Sequence, residues 1–220
     1  LKDKIQWNKR GYKETSEGGV WQESWVAFSP SSRTPEIITM ETPVEKWNWN
    51  LFLPNIDSRP LHIDFGSGAG TYLLDLSKVE SGWNYIGIDI RDVIIDVANK
   101  TLADYWNGLV SSGIKTPEQL MKERNIHFFH GNTVVCMEEL NNTILKGTVK
   151  RATFNMPDPC FKRSHKKRRM INETFLEQLS KLLDKDADIL FRTDIKDVHQ
   201  NILDEMNAFS DEFQRKEPAE

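Results

Sequence analysis

Several things are scarce in this 220-residue sequence. It has only two cysteines, Cys136 and Cys160, and their separation matches no metal-ligand spacing. Two thiols so placed exclude a disulfide scaffold and suit a reducing compartment. No apolar run approaches the roughly 18 residues that a membrane-crossing helix needs, so none is expected. There is no secretory signal pattern at the start, although the first residue is Leu rather than Met. Internal repeats and low-complexity tracts are missing too. An excess of positive charge is also lacking: the formal net charge is −4. That balance excludes a protein that coats nucleic acid through bulk charge, so any such contact needs a local patch.

One stretch supplies that patch. Residues 155–169 read Asn-Met-Pro-Asp-Pro-Cys-Phe-Lys-Arg-Ser-His-Lys-Lys-Arg-Arg. Asp158 stands between two prolines that fix a turn and keep it out of a helix. Six cations follow within residues 162–169, with no acid among them. A carboxylate beside a cationic run suits a reactive corner with a polyanion grip. The bland alternative is a solvated helix start or a localisation-type cluster.

The remaining pattern predicts the frame around it. Residues 1–60 read as an arm that packs on a core domain at 61–220. Within the arm, Val20–Phe28 has the aromatic and β-branched composition of a strand. Trp47, Trp49 and Phe52 read as packing residues. Strands are expected at 61–65, 85–90, 126–129, 149–155 and 188–193. Helices are expected at 71–79, 93–105, 118–122, 134–140, 175–183 and 198–209, with an insertion over 108–124. Alternating strands and helices predict an α/β fold, a doubly wound, mostly parallel sheet with helices on both faces.

Two strand ends carry ligand signals. Asp64-Phe-Gly66-Ser67-Gly68-Ala-Gly70 leaves a strand and opens a helix, where glycines let a backbone approach a ligand. The third glycine comes one residue early for a dinucleotide fingerprint. An acid at Asp64 suits a cationic ligand rather than a pyrophosphate. Asp89, at the next strand end, can accept from two ribose hydroxyls or cap a helix. After the third strand, Asn132 either faces an adenine edge or caps the following helix. His127 and His130 point to opposite faces of one strand and read as packing or surface residues, so no metal site is expected.

These motifs taken in order resemble the tRNA (guanine-N7)-methyltransferases, the TrmB family. The resemblance covers about Leu61 to Met206. It rests on the glycine turn, Ile86-Gly87-Ile88-Asp89-Ile90-Arg91, Gly131-Asn132-Thr133, Pro157-Asp158-Pro159 with its basic run, Phe175-Leu176 and Thr193-Asp194. It implies a Rossmann-like class I methyltransferase fold and methyl transfer from S-adenosyl-L-methionine to guanine N7 in tRNA. Asp64, Gly66, Ser67, Gly68, Gly70, Asp89, Ile90, Asn132, Thr133 and Asp158 would surround the cofactor, with Asp158 also the catalytic carboxylate. Lys162 and Asp194 would meet the target nucleotide, and Ser164, His165, Lys166, Lys167, Arg168 and Arg169 the RNA. A β-propeller accessory subunit is implied for a eukaryotic chain, with a location inside the cell that is cytoplasmic for a bacterial chain and nuclear or cytoplasmic for a eukaryotic one, and no membrane. Other readings of the same residues are a different RNA methyltransferase and a non-catalytic RNA-binding subunit.

The sequence leaves the family pattern in four places. Cys160-Phe161 replaces Trp-Pro, Ser164 replaces a frequent basic residue, and Val198 replaces Tyr. A C-terminal Thr-x-x-Glu segment is not recognisable before Glu220, so either the sequence is truncated or an N-terminal segment such as 20–28 completes the sheet.

Overall fold

β1 (Leu61–Phe65) and β2 (Asn84–Asp89) are buried along their whole length. That pattern belongs to strands covered on both faces of a parallel sheet. A computed structural model of the chain describes residues 49–143, 145–158, 170–209 and 212–214. All of them lie in one compact unit, Thr39–Glu220. The other elements are α1 (Trp49–Phe52), α2 (Thr71–Val79), α3 (Asp92–Ser111), α4 (Pro117–Glu123), β3 (Ile126–His130), α5 (Thr133–Asn141), β4 (Val149–Asn155), α6 (Glu173–Leu182), β5 (Leu183–Arg192) and α7 (Lys196–Ala208). Five strands pair in parallel in the order β3-β2-β1-β4-β5. The order reverses between β1 and β4, and ligands bind at the carboxyl ends of strands beside such a switch point. The α/β doubly wound frame expected from the sequence is therefore present.

Alternation along the strands divides the interior into two kinds of surface. On one face Phe65, Phe154 and Phe175 of α6 make a ring cluster, with centroids 5.2 to 5.8 Å apart. Phe191 of β5 extends it by stacking on Phe154. The other face carries α2 and α3, whose Leu73, Leu74, Ile95, Ala98 and Leu102 pack with Tyr85, Ile126 and Phe128. That face also holds a polar strip. His62 and Asp64 of β1 lie opposite Arg151 and Thr153 of β4 in the strand register.

Trp49 and Phe52 of α1 pack on the β3 edge, with ring contacts to Phe129 and His127. Trp47 and residues 20–28 lie outside the described residues. Element boundaries move furthest from expectation at the end of α3 and the start of β5. α3 runs to Ser111 instead of stopping near Tyr105, because Tyr105 and Trp106 still pack on the core cluster beside it. The first part of the expected insertion, residues 108–111, is therefore helix, and the chain turns at Ser112-Gly113. Thr116 starts α4 with a capping box shared with Gln119, and Pro117 takes the first helical position. Leu183 begins β5 rather than ending α6. Between Val149↔Leu183 and Arg151↔Asp188 the register slips, so the polar run Asp184–Ala187 bulges out, tied by a Lys150–Asp184 ion pair of 2.8 Å. Among the described residues no helix is long and apolar enough to cross a membrane.

Candidate active site

The glycine turn leaves β1 by pairing back on β2. The Gly66 and Ser67 amides donate to the Ile88 carbonyl at 2.7 and 3.0 Å. Gly66, Gly68 and Gly70 all have positive φ, a conformation L side chains adopt at a cost. Gly70 has a second constraint. A β-carbon there would stand 2.4 Å from the Phe128 ring, and one on Gly87 would stand 2.3 Å from the same ring. The Ser67 hydroxyl is buried with no partner among the described residues.

Asp64 is buried at the end of β1. Its Oδ1 accepts from Thr153 Oγ1 at 2.5 Å and from Asn155 Nδ2 at 3.1 Å. Burial pushes its carboxyl up to about 6; the two hydrogen bonds pull the other way, and nearby Asp89 adds to the rise. Asp89 sits in the opposite condition. Burial also raises it, but Arg91's side chain and amide and the Gly68 amide overcome that and hold the carboxyl below its ordinary value. The Gly68 amide reaches Asp89 Oδ2 at 2.9 Å, and Arg91 spans both oxygens at 3.0 Å. Ile90, next along, is 60% exposed, an apolar surface beside the turn. Asn132 caps α5 through a 3.1 Å bond from the Val134 amide, while Thr133 is buried. His127 packs against rings, and His130 Nε2 lies 3.1 Å from the Ile90 carbonyl. Among the described residues no group of three or more His, Cys, Asp or Glu side chains is placed to hold a metal ion.

At the end of β4 the chain turns sharply. Met156 has φ 53, the only non-glycine residue with positive φ among those described. Such a conformation costs about 1–2 kcal/mol and is held here by the Met156 amide donating to the Arg192 carbonyl at 2.8 Å. The turn delivers Pro157 and Asp158 to the rim of an open cleft. Met170 and Ile171 form one wall. Val198, Asn201, Ile202 and Glu205 form the other, one face of α7 at helical spacing. Met170 also borders the glycine turn: its Cε would lie 3.7 Å from a β-carbon on Gly66. The glycine turn and the Asp158 cleft thus share a wall.

Asp64, the three glycines, Ser67, Asp89 and Ile90 come together at the ends of β1 and β2. Asp158 stands at the adjacent cleft. Asp194 is exposed in the turn before α7 and does not line that cleft. Lys162, Ser164, His165, Lys166, Lys167, Arg168 and Arg169, with Cys160-Phe161, lie outside the described residues. Sequence reasoning missed His62, Thr153, Asn155, Met170, Asn201 and Glu205 as neighbours of the site. Polar residues at alternate positions of otherwise apolar strands, His62 and Asp64 against Arg151, Thr153 and Asn155, were the available signal.

A family model described as "Putative methyltransferase" matches residues 58–220. The chain belongs to this methyltransferase family. Among curated relatives of this methyltransferase, a tRNA (guanine-N(7)-)-methyltransferase of Prochlorococcus marinus (strain AS9601) is 35% identical over 138 residues, 63% of this chain and 58% of that protein. One of Synechococcus elongatus is 28% identical over 173 residues, covering 78% of this chain and 73% of that protein. The chain thus spans about six-tenths of the length of the first of these relatives. A solved aminoglycoside resistance methyltransferase is similar at 20% identity with TM-score 0.45, covering 70% of this chain and 65% of that one.

Proposed function

We propose that this methyltransferase transfers a methyl group from S-adenosyl-L-methionine to N7 of a guanine in tRNA. The observation that carries the reading is the shared wall: Met170 borders both the glycine turn and the Asp158 cleft, so a donor on the turn and a base in the cleft are neighbours. The names of the relatives supply the chemistry and the substrate class.

The residues fit the donor. A backbone cradle with positive-φ glycines leaves room for close approach, and the Ser67 hydroxyl lacks a partner. Asp64 offers a carboxylate to a cationic ligand, Asp89 a second to a ribose, and Ile90 an apolar surface to an adenine ring. Asn132 and Thr133 border the same end of the sheet. When bound, S-adenosyl-L-methionine supplies an electrophilic methyl on a sulfonium. Guanine N7 has a free lone pair and no proton to lose, so no strong base is required. What the chain must do is align the base and stabilise charge arriving on its ring. Asp158, on the strained turn at the cleft, is the catalytic carboxylate in this reading. It accepts from the guanine N–H edge and lies where positive charge develops. Asp194 is the second carboxylate for the nucleotide. Lys162 and residues 164–169 supply phosphate contacts that orient the tRNA without reading its sequence.

The same reading places the activity inside the cell, with a β-propeller accessory subunit for a eukaryotic chain. The test is incubation with tRNA and methyl-labelled donor, followed by nucleoside analysis. Labelled 7-methylguanosine is expected. Donor and tRNA that both bind while no 7-methylguanosine forms would overturn the proposal.

A further inference from the structure

A hydrogen-bonded line crosses the buried seam between β1 and β4, and it has a direction. His62 Nε2 lies 3.0 Å from Thr153 Oγ1, which lies 2.5 Å from Asp64 Oδ1. An ionised carboxylate only accepts, so the one hydroxyl proton of Thr153 points at Asp64. The Thr153 oxygen then accepts, and the group offered to it is His62 Nε2. That nitrogen must carry the ring hydrogen. The other ring nitrogen, Nδ1, is buried with no partner among the described residues. Reversing the line would put the hydrogen on Nδ1, a buried donor with no acceptor, a condition native structures rarely tolerate. Burial, with Arg151 nearby, also lowers His62 to about 3, so the ring stays neutral. Both bonds to Asp64 end on Oδ1, and no described residue bonds Oδ2.

We propose that His62 and Thr153 are positioning residues that hold Asp64 Oδ1 on the protein side and present Oδ2 to the cationic end of the methyl donor. This rests on the assignment of Asp64 to the donor made above. The charged and titratable groups around the line are Asp89 on β2, Tyr72 on α2 and Arg151 on β4. Asp89 is neutralised by Arg91, and burial raises Tyr72 above its ordinary value, so it remains a neutral hydroxyl. Arg151 is held by Glu80 at 2.9 Å. Asp64 is therefore the group whose ionisation governs the seam near neutral pH, and donor affinity falls as pH drops through about 6.

The experiment uses the full chain and S-adenosyl-L-methionine alone, without tRNA. Calorimetric affinity is measured across pH for wild type, Thr153→Val and Thr153→Ser, and nitrogen NMR reads the His62 tautomer. The hydrogen on Nε2 is expected. Thr153→Val removes a hydrogen bond to the charged carboxylate, so affinity at neutral pH falls about tenfold and the pH midpoint moves upward. Thr153→Ser restores both. If Thr153→Val does not fold, His62→Phe carries the test, with affinity about threefold weaker and the midpoint again higher. Hydrogen on Nδ1, or a folded variant with wild-type affinity and midpoint, overturns the inference while leaving the donor assignment intact. A wild-type chain that binds no donor at any pH overturns that assignment and the inference with it.

Discussion

Two carboxylates mark the two halves of this site, and their surroundings are opposite. Asp64 is sealed in the β1–β4 seam, gripped from one side by Thr153 and Asn155, with burial raising its proton affinity. Asp158 is exposed at the rim of a cleft, on a turn whose geometry comes from the backbone of Met156 and Arg192. The seam is built to hold one arrangement. The cleft is built to admit and release something. Asn155 joins them, since it bonds Asp64 and directly precedes the strained turn that delivers Asp158.

The comparison breaks first at Asp158. Asp158→Ala is expected to lower turnover about a hundredfold or more while donor affinity changes less than threefold, because in the proposed reading only the half that holds the base loses a group. Steady-state kinetics with saturating tRNA, alongside donor calorimetry, decides it. Unchanged turnover removes Asp158 from the chemistry.

Asp64→Asn should do the reverse and add a stability signature. The folded carboxyl holds its proton more tightly, at about 6 against 3.8 for the ordinary group of the unfolded chain. This cost of burying the ion is absent at low pH, grows as pH rises through that window, and is complete above it. At neutral pH it amounts to about 3 kcal/mol. The amide keeps an acceptor for Thr153 and Asn155 without the charge. Thermal melts should therefore show Asp64→Asn more stable by up to about that amount at neutral pH and no more stable below about pH 4, while donor affinity falls about tenfold. A variant less stable at neutral pH would show that the seam depends on the charge itself.

Met156→Gly tests the hinge between the halves and should have the smallest effect. Glycine accepts φ 53 without strain but brings backbone freedom to the unfolded chain, so net stability moves by less than about 1 kcal/mol. Turnover should fall a few-fold, since Asp158 is then held less firmly. A large loss of stability would mean that the Met156 side chain, not the backbone, sets the turn.

The seam and the cleft also differ in how far the sequence disclosed them. The parallel sheet was legible because buried strands read as apolar runs separated by helical periodicity. The glycine turn was legible because its residue types have few other uses. Asp158 stood out through its two prolines. What stayed hidden depends on register. Nothing local says that Thr153 lies beside Asp64, 89 residues away, rather than one place along, and a one-residue slip would send it to the other face. Asn201 and Glu205 look like ordinary solvent positions of an amphipathic helix until α7 is seen against the Asp158 turn. β5 was read short because its first part, Asp184–Ala187, is polar and bulged, which carries no period-two signal.

Phe128 has a consequence for how this site can change over time. Its ring lies where a β-carbon on either Gly70 or Gly87 would have to go, so neither position has room for a side chain while that ring is in place. Adding a single methyl at either glycine, or trading the ring for a larger one, wedges the helix away from the strands and displaces the glycine turn with it. These three positions form a lock in which no member can grow unless another shrinks. Drift in this part of the protein must therefore proceed by paired exchange.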